Sequence, residues 1–260
     1  MTPAESVELN LIEFFRLFAM TQPRGRLAER PGVQVAAAGA RFMMFNAAFF
    51  STPVAAADDL GRRLELLWGL MGDLRPGWAL WANDDKLRGA GPASCGIFQQ
   101  HQLHPAFRHP GLACEQLAPP SRKLPEVEFR PVNDGASRRE FARLNSRAFR
   151  LPPEWCLELY SNESLWAERF SGFLAYSGNQ PVSCAATLAA AEAIGVYAVA
   201  TMPGQERRGY GEAVTRHAVE SAQRRWGLKR SILQATQAGL PLYLRLGYRV
   251  VTGFTVYCTR

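Results

Sequence analysis

The chain has 260 residues, with 30 lysines and arginines against 23 aspartates and glutamates and 47% hydrophobic residues. That is an ordinary globular composition, which excludes collagen, coiled coil and wholesale disorder. Residues 1–200 are charge-neutral, whereas residues 201–260 hold ten basic and three acidic side chains, so the whole surplus of +7 sits there. Such a surplus leaves nucleic acid, an acidic membrane surface and a phosphorylated small molecule open as partners.

Glu5, Glu8 and Glu13 interrupt the apolar residues of the N-terminus, against a signal peptide. Val7, Leu11, Phe14, Phe15 and Phe18 recur at helical spacing and predict an amphipathic first helix. Val33–Ala37 and Phe42–Phe50 read as strands, joined as a hairpin by the turn at Gly39. The uncharged run from Phe42 to Ala57 is too short to span a bilayer and contains Asn46, Ser51, Thr52 and Pro53. Leu60, Leu64, Leu67, Trp68 and Met71 mark one face of a second helix, and Trp78–Ala82 a strand.

Residues 83–110 read as irregular and hold three of the four histidines. His101, His104 and His109 have no carboxylate between them, and Pro105 and Pro110 break any helical face, so they are expected to be solvated loop residues and not metal ligands. Cys95, Cys114, Cys156, Cys184 and Cys258 are odd in number, widely spaced and form no CxxC; they are expected to be buried, reduced thiols. The protein is read as cytoplasmic, with no membrane partner. Pro119, Pro120 and Pro125 flank Ser121, Arg122 and Lys123 in a linker composition, which predicts a boundary between domains 1–120 and 121–260.

Beyond the linker, Val127–Val132 alternates like a strand, Ser137–Phe149 and Glu154–Ser161 read as helices, and Phe170–Tyr176 and Val182–Ala190 form a hairpin around Gly178-Asn179-Gln180-Pro181. Ile194–Thr201 is an apolar strand. The helix after Gly211 carries Val214, Ala218, Ala222 and Trp226 at intervals of four, a buried stripe. Ser231–Ala235 reads as a strand, Leu240–Leu246 as a short helix ended by Gly247, and Tyr248–Thr252 and Phe254–Cys258 as two closing strands.

Between the Ile194 strand and its helix lies Met202-Pro203-Gly204-Gln205-Glu206-Arg207-Arg208-Gly209-Tyr210-Gly211. A strand, a basic glycine turn and a helix make an anion site: the first helical turn has N–H groups without internal partners, and the helix dipole adds positive charge. Gly209 and Gly211 let a phosphate approach the main chain, and Arg207 and Arg208 add fixed charge. No Gly-Lys-Ser/Thr follows, so this is not a Walker A loop, and the dinucleotide fingerprint lacks its third glycine.

Val199-Ala200-Thr201-Met202-Pro203 and Arg207-Arg208-Gly209-Tyr210-Gly211-Glu212-Ala213 together resemble the acyl-CoA signature of the GNAT acetyltransferase superfamily, a strand entering Q/R-x-x-G-x-G/A and a helix. Gly239-Leu240-Pro241-Leu242-Tyr243-Leu244-Arg245-Leu246-Gly247-Tyr248 resembles the family's second signature. The resemblance covers residues 127–260. It implies an α/β (α+β) fold with a mixed, mostly antiparallel central sheet flanked by helices. Residues 1–125 resemble the N-terminal half of tandem GNAT proteins at Phe45-Asn46, Trp78-Ala79-Leu80-Trp81 and Pro110-Gly111-Leu112-Ala113, which implies two GNAT-like halves, the first degenerate and without an acyl-CoA site.

The activity so implied is direct transfer of an acetyl group from acetyl-CoA to a primary amine on a small molecule, amino acid or peptide, without a metal. Val199, Ala200 and Thr201 would pair with the pantetheine arm, an N–H of Val199 or Ala200 donating to the thioester carbonyl. Arg207, Arg208, Gly209, Tyr210, Gly211 and Glu212 would hold the pyrophosphate, and Gln234 with Ala235 would line the far side of the cleft. Tyr243 is the candidate general acid for the thiolate, and Glu192 the candidate base, with a water relay as the alternative. Glu206 stands where the family has Gln or Arg: either it turns outward or it weakens cofactor affinity. The competing reading is an acyl-CoA-binding sensor without turnover. A nucleic-acid role for Arg224, Arg225, Lys229 and Arg230 around Trp226 lacks the aromatic interleaving of single-strand binders. A homodimer is compatible with the resemblance.

Overall fold

A computed structural model describes residues 1–259. In chain order the elements are α1 (Pro3–Thr21), β1 (Arg26–Arg30), β2 (Val33–Ala37), β3 (Asn46–Phe50), α2 (Ala57–Met71), β4 (Ala79–Asn83), α3 (Asp84–Leu87), α4 (Ser94–Gln100), β5 (Leu103–Cys114), β6 (Glu128–Pro131), α5 (Gly135–Phe149), α6 (Pro153–Tyr160), β7 (Phe170–Ser177), β8 (Gln180–Ala190), β9 (Ala193–Thr201), α7 (Tyr210–Trp226), β10 (Ser231–Gln234), α8 (Leu240–Arg245) and β11 (Arg249–Thr259). The fold is mixed α/β with mostly antiparallel strands flanked by helices. No helix among the described residues is long and apolar enough to cross a membrane.

Three readings from the sequence change. Residues 83–110 are ordered as α3, α4 and most of β5. His109 lies in β5 and stacks on Trp81 with ring centroids 5.6 Å apart, so it is not a solvated loop residue. The two closing strands are one, β11, and β1 has no counterpart among the predicted elements because its Arg-Leu-Ala-Glu-Arg sequence carries no apolar alternation.

The chain folds as two compact units: Met1–Leu11 with Leu112–Val251, and Ile12–Gly111 with the chain from Thr252 onward. Contiguous blocks 1–120 and 121–260 therefore do not describe the packing, because both ends of the chain cross over. The start of α1 belongs with the later strands, and from Thr252 the last strand pairs antiparallel with β4, from Phe254↔Asn83 to Cys258↔Ala79.

In the unit built on residues 12–111 the strand order is β1-β2-β3-β4-β11-β5. The β1–β2–β3 meander is antiparallel, and β3 and β4 are parallel. Alternation sorts the two faces. Val33, Val35, Phe50 and Leu80 meet Leu60, Leu64, Leu67 and Met71 of α2. Phe49 and Trp81, of opposite parity, meet Phe15 of α1.

In the unit built on residues 112–251 the order is β5-β10-β9-β8-β7-β6, with β9 and β10 parallel and β6 to β9 antiparallel. Ala185 of β8 packs with Val214 and Ala218 of α7, while the next-door Cys184 meets Asn145 of α5. Adjacent residues of a strand face opposite sides, so α5 and α7 cover opposite faces. Asn10 of α1 is fully buried. Its Nδ2 donates to the carbonyls of Ala190 at 2.7 Å and Ala193 at 3.1 Å, and its Oδ1 accepts from the Tyr197 hydroxyl at 2.8 Å. This hub fits only over a glycine: a Cβ on Gly195 would lie 2.0 Å from Asn10 Oδ1 and 2.4 Å from the Tyr197 ring.

Replacing Gly195 by alanine is accordingly expected to cost about 3 kcal/mol in urea unfolding, from overpacking plus a broken buried hydrogen bond. Gly61→Ala, on the open side of α2 with no atom within 4 Å of the added methyl, is expected to stabilise by about 0.5–1 kcal/mol.

Candidate active site

The site grows out of β9. Its first half is paired on both sides: β8 on one, and on the other β10, whose parallel ladder is Ser231↔Ile194 and Ile232↔Gly195. After Gly195 the β10 ladder stops. On the β8 side the register shifts: Ala186 pairs Tyr197, but Cys184 pairs Ala200, so Ala198 and Val199 together oppose Ala185. This is a β-bulge. Ala198 takes φ +50°, the left-handed region that a Cβ disfavours by roughly 1–3 kcal/mol. Val199, Ala200 and Thr201 thus leave a strained bulge on the strand edge where the neighbouring ladder has ended.

The turn after Thr201 is shaped for close approach. Arg207 has φ +62° and Gly209 φ +93°, and α7 begins at Tyr210. Gly209 is buried, and a Cβ there would meet Pro125 Cδ at 3.0 Å. The linker that carries Pro125 brings a third guanidinium: Arg122 Nη1 donates to the Arg207 carbonyl at 3.5 Å. Arg122, Arg207 and Arg208 are all exposed. Arg122 lies in the linker segment that the sequence marks only as a boundary; its three prolines signal stiffness but not where it docks.

Both acidic side chains of the motif have partners of their own. Glu206 folds back on its own loop, its Oε2 accepting from the Gly204 N–H at 2.8 Å. Glu212 is buried and pairs with Arg216 one turn on, Oε1 accepting from Nε at 3.0 Å and Nη2 at 2.8 Å. Arg216 Nη1 in turn donates to the Ala118 carbonyl at 2.6 Å. The Glu212 carboxylate therefore locks helix to linker; only its backbone can serve a phosphate. Arg224 and Arg225 sit in the last turn of α7, roughly 20 Å along the helix from the turn, and Arg230 pairs with Glu115 at 2.6 Å. The charge surplus splits accordingly between the turn and a helix C-terminus, where cations meet the dipole.

Tyr243 of α8 is buried in one apolar cluster with Val196 of β9, Val219 of α7 and Leu233 and Ala235 on the β10 side, against which Val199 also packs. Burial pushes its hydroxyl well above the ordinary tyrosine value. Tyr243, Val199 and Ala235 are thereby brought together. Two other candidates are not. Gln234 is tied away by its Nε2, which donates to the Val7 carbonyl at 3.2 Å. Glu192 is at the tip of the β8–β9 hairpin, where Ala191 and Glu192 have φ +50° and +54°. It is 68% exposed and 3.4 Å from the N-terminal ammonium, about 20 Å of strand from the bulge. It does not belong to this site. Of the thiols, Cys184 is fully buried and held protonated by burial, while Cys95 is exposed, against the expectation for all five. No group of three metal-binding side chains occurs among the described residues.

The first half of the chain repeats the order meander, helix, parallel strand with β1–β2–β3, α2 and β4. Its turn has the opposite polarity. Lys86 Nζ donates to the carbonyls of Phe50 and Ser51 at 2.9 and 3.1 Å, and Arg63 Nη1 and Nη2 donate to those of Thr52 and Pro53 at 2.7 and 2.8 Å. Gly89 lies so close that a Cβ would be 2.0 Å from the Val54 carbonyl. That turn offers carbonyls to its own cations, with residues 86–89 packed on it, in contrast to the turn after β9.

Residues 168–250 match the family model described as acetyltransferase (GNAT) domain. In fold the chain is similar to a GCN5-related N-acetyltransferase from Kribbella flavida, at TM-score 0.73 and 17% identity over 99% of this chain and 95% of that one. It is also similar to a GCN5-related N-acetyltransferase-like protein from Streptococcus suis, at TM-score 0.59 and 17% identity over 100% of each chain. A tandem GNAT protein from the clavulanic acid biosynthesis pathway aligns over 98% of this chain and 94% of its own, at TM-score 0.52 and 9% identity. No curated protein matches the chain in sequence. Residues 168–250 thus match a GNAT acetyltransferase domain, in a chain whose fold is similar to that of a tandem GNAT protein.

Breaking the lock between helix and linker has a defined cost. Glu212→Gln leaves the buried Arg216 charge unpaired and is expected to destabilise the protein by about 3 kcal/mol in denaturant unfolding, whereas Glu206→Gln, exposed on its loop, is expected to stay within about 0.5 kcal/mol of the parent.

Proposed function

We propose that the protein is an acetyltransferase that binds one acetyl-CoA per chain, where the β9–β10 ladder ends, and acetylates a primary amine on a small molecule or peptide. The observation that carries this reading is the bulge at Ala198–Val199 beside a ladder that ends at Gly195, followed directly by the arginine turn. The residues fit the cofactor: the Glu212 carboxylate is paired with Arg216 and Glu206 is bonded to the Gly204 N–H, while Arg122, Arg207 and Arg208 are exposed around the start of α7.

Acetyl-CoA would supply an acetyl group on a thioester. The turn from Arg207 to Gly211 would hold its diphosphate through backbone N–H groups, with Arg207, Arg208 and Arg122 neutralising it. The edge of β9 from Val199 to Thr201 would hold the pantetheine amides, and an N–H of the bulge would donate to the acyl carbonyl. Tyr243, kept protonated by burial, would give its proton to the departing sulfur, whose thiolate the same apolar surroundings would also make more basic. With Glu192 at the far end of the strand, the amine would lose its proton to water.

Thiol release on mixing the protein with acetyl-CoA and an amine panel tests the reading. Tyr243→Phe is expected to lower kcat by roughly 100-fold while leaving acetyl-CoA affinity within about twofold, and Arg207→Ala and Arg208→Ala to weaken affinity by about tenfold each, Arg122→Ala by less. Binding titration is expected to give one site per chain. Because burial raises the Tyr243 hydroxyl, it stays protonated as pH rises through its ordinary value of about 10. The rate should therefore rise as the amine deprotonates and then hold, with no descending limb below about pH 10. Saturable acetyl-CoA binding with no thiol release from any amine would instead make this a binding module.

A further inference from the structure

The bulge is held from behind by two side chains of β8. Ser183, fully buried, donates its Oγ to the Ala200 carbonyl at 2.7 Å and lies 3.1 Å from Thr201 Oγ1. Cys184 Sγ lies 3.5 Å from the Ala198 carbonyl, within the longer reach of a sulfur donor. Behind the thiol stands Asn145 of α5, whose Nδ2 donates to Cys184 Sγ at 3.3 Å and to the Phe141 carbonyl at 2.9 Å. The two carbonyls flanking Val199 are therefore each claimed by the neighbouring strand.

This has a directional consequence. The Ala198 carbonyl and the Val199 N–H belong to one planar, trans peptide group and point opposite ways. A carbonyl turned to Cys184 on β8 turns the Val199 N–H away from β8. A bulge residue has lost its ladder bonds, and left-handed Ala198 persists only where its surroundings over-determine it. Of the two backbone donors open from the sequence, Val199 and Ala200, the held peptide selects Val199.

We infer that Cys184, buttressed by Asn145, is a positioning residue that fixes the Ala198–Val199 peptide so that the Val199 N–H faces the acyl carbonyl. The inference rests on the proposed acetyl transfer for its purpose, but not for its geometry. Cys184 needs its S–H for this, and burial keeps the thiol protonated. Atoms and charges do not change; the thiol is neither acylated nor oxidised.

The test compares Cys184→Ala, Cys184→Ser and Asn145→Leu with the parent. Two readouts are taken: the amide 1H–15N resonance of Val199 in the ligand-free protein, and kcat against acetyl-CoA affinity. In Cys184→Ala the Val199 resonance is expected to shift while those of Gly209 and Gly211 hold. The same variant should lose at least tenfold in kcat, as for a misaimed backbone donor, with affinity within about twofold. Cys184→Ser, which keeps a donor, should restore both, and Asn145→Leu should fall between. If Cys184→Ala does not fold, Asn145→Leu alone carries the comparison. An unmoved Val199 resonance and parental kcat in the folded variants would overturn the inference. If the parent itself turns over no amine, the proposed function fails, and the ligand-free resonance still decides the role of Cys184.

Discussion

Between Tyr197 and Ala200, β9 holds one residue more than the strand beside it, and the extra residue is an alanine in a conformation that suits glycine. A strand cannot absorb an insertion without turning part of its backbone out of the ladder. Here that happens where the parallel partner on the other side has also ended. The same strand is pinned at its start by Asn10, packed against the bare Gly195 and bonded to the Tyr197 hydroxyl. One half of β9 is thus anchored by a buried hydrogen-bond hub and the other half freed, and the free half leads directly into the arginine turn. In the proposed reading this division lets a single strand be both scaffold and binding edge.

Electrostatics reinforce that geometry. A turn with two glutamates among its residues would be a poor phosphate site if both carboxylates were unpartnered, and neither is. Glu206 is spent on its own loop and Glu212 on Arg216. The Glu212–Arg216 pair also reaches the Ala118 carbonyl, so the linker is held against the helix, where Arg122 joins Arg207. The corresponding turn of the first half repeats the topology with inverted polarity, its carbonyls capped by Lys86 and Arg63. The repeated order of elements and the polarity of the turn are separate properties: the first follows from the pattern of strands and helices, the second from two cations.

Much of this was legible in the sequence, and what was not has physical reasons. The glycine-arginine turn, the stripe from Val214 to Ala222 and the hairpin at Gly178-Asn179 depend on residues close in sequence, and local pattern reveals them. The bulge does not: Tyr197-Ala198-Val199-Ala200 reads as uninterrupted strand, since no glycine marks the positive φ. The need for a bare Gly195 is set by Asn10, far away in the chain, and the crossing of α1 and β11 between units by pairings such as Phe254 with Asn83. Glu192 was misread because it is a lone carboxylate opening the right strand at the wrong end. The Glu212–Arg216 pair, at a spacing of four on a helix, could have been anticipated.

In the proposed reading acetyl-CoA occupies the free half of β9 and the turn after it. Backbone amide exchange measured with and without acetyl-CoA reads this directly. Protection by the ligand confined to Ala198–Ala213, with residues 50–57 unchanged, is the predicted result. Saturating acetyl-CoA that leaves Ala198–Ala213 unprotected, or that protects residues 50–57 instead, would contradict it.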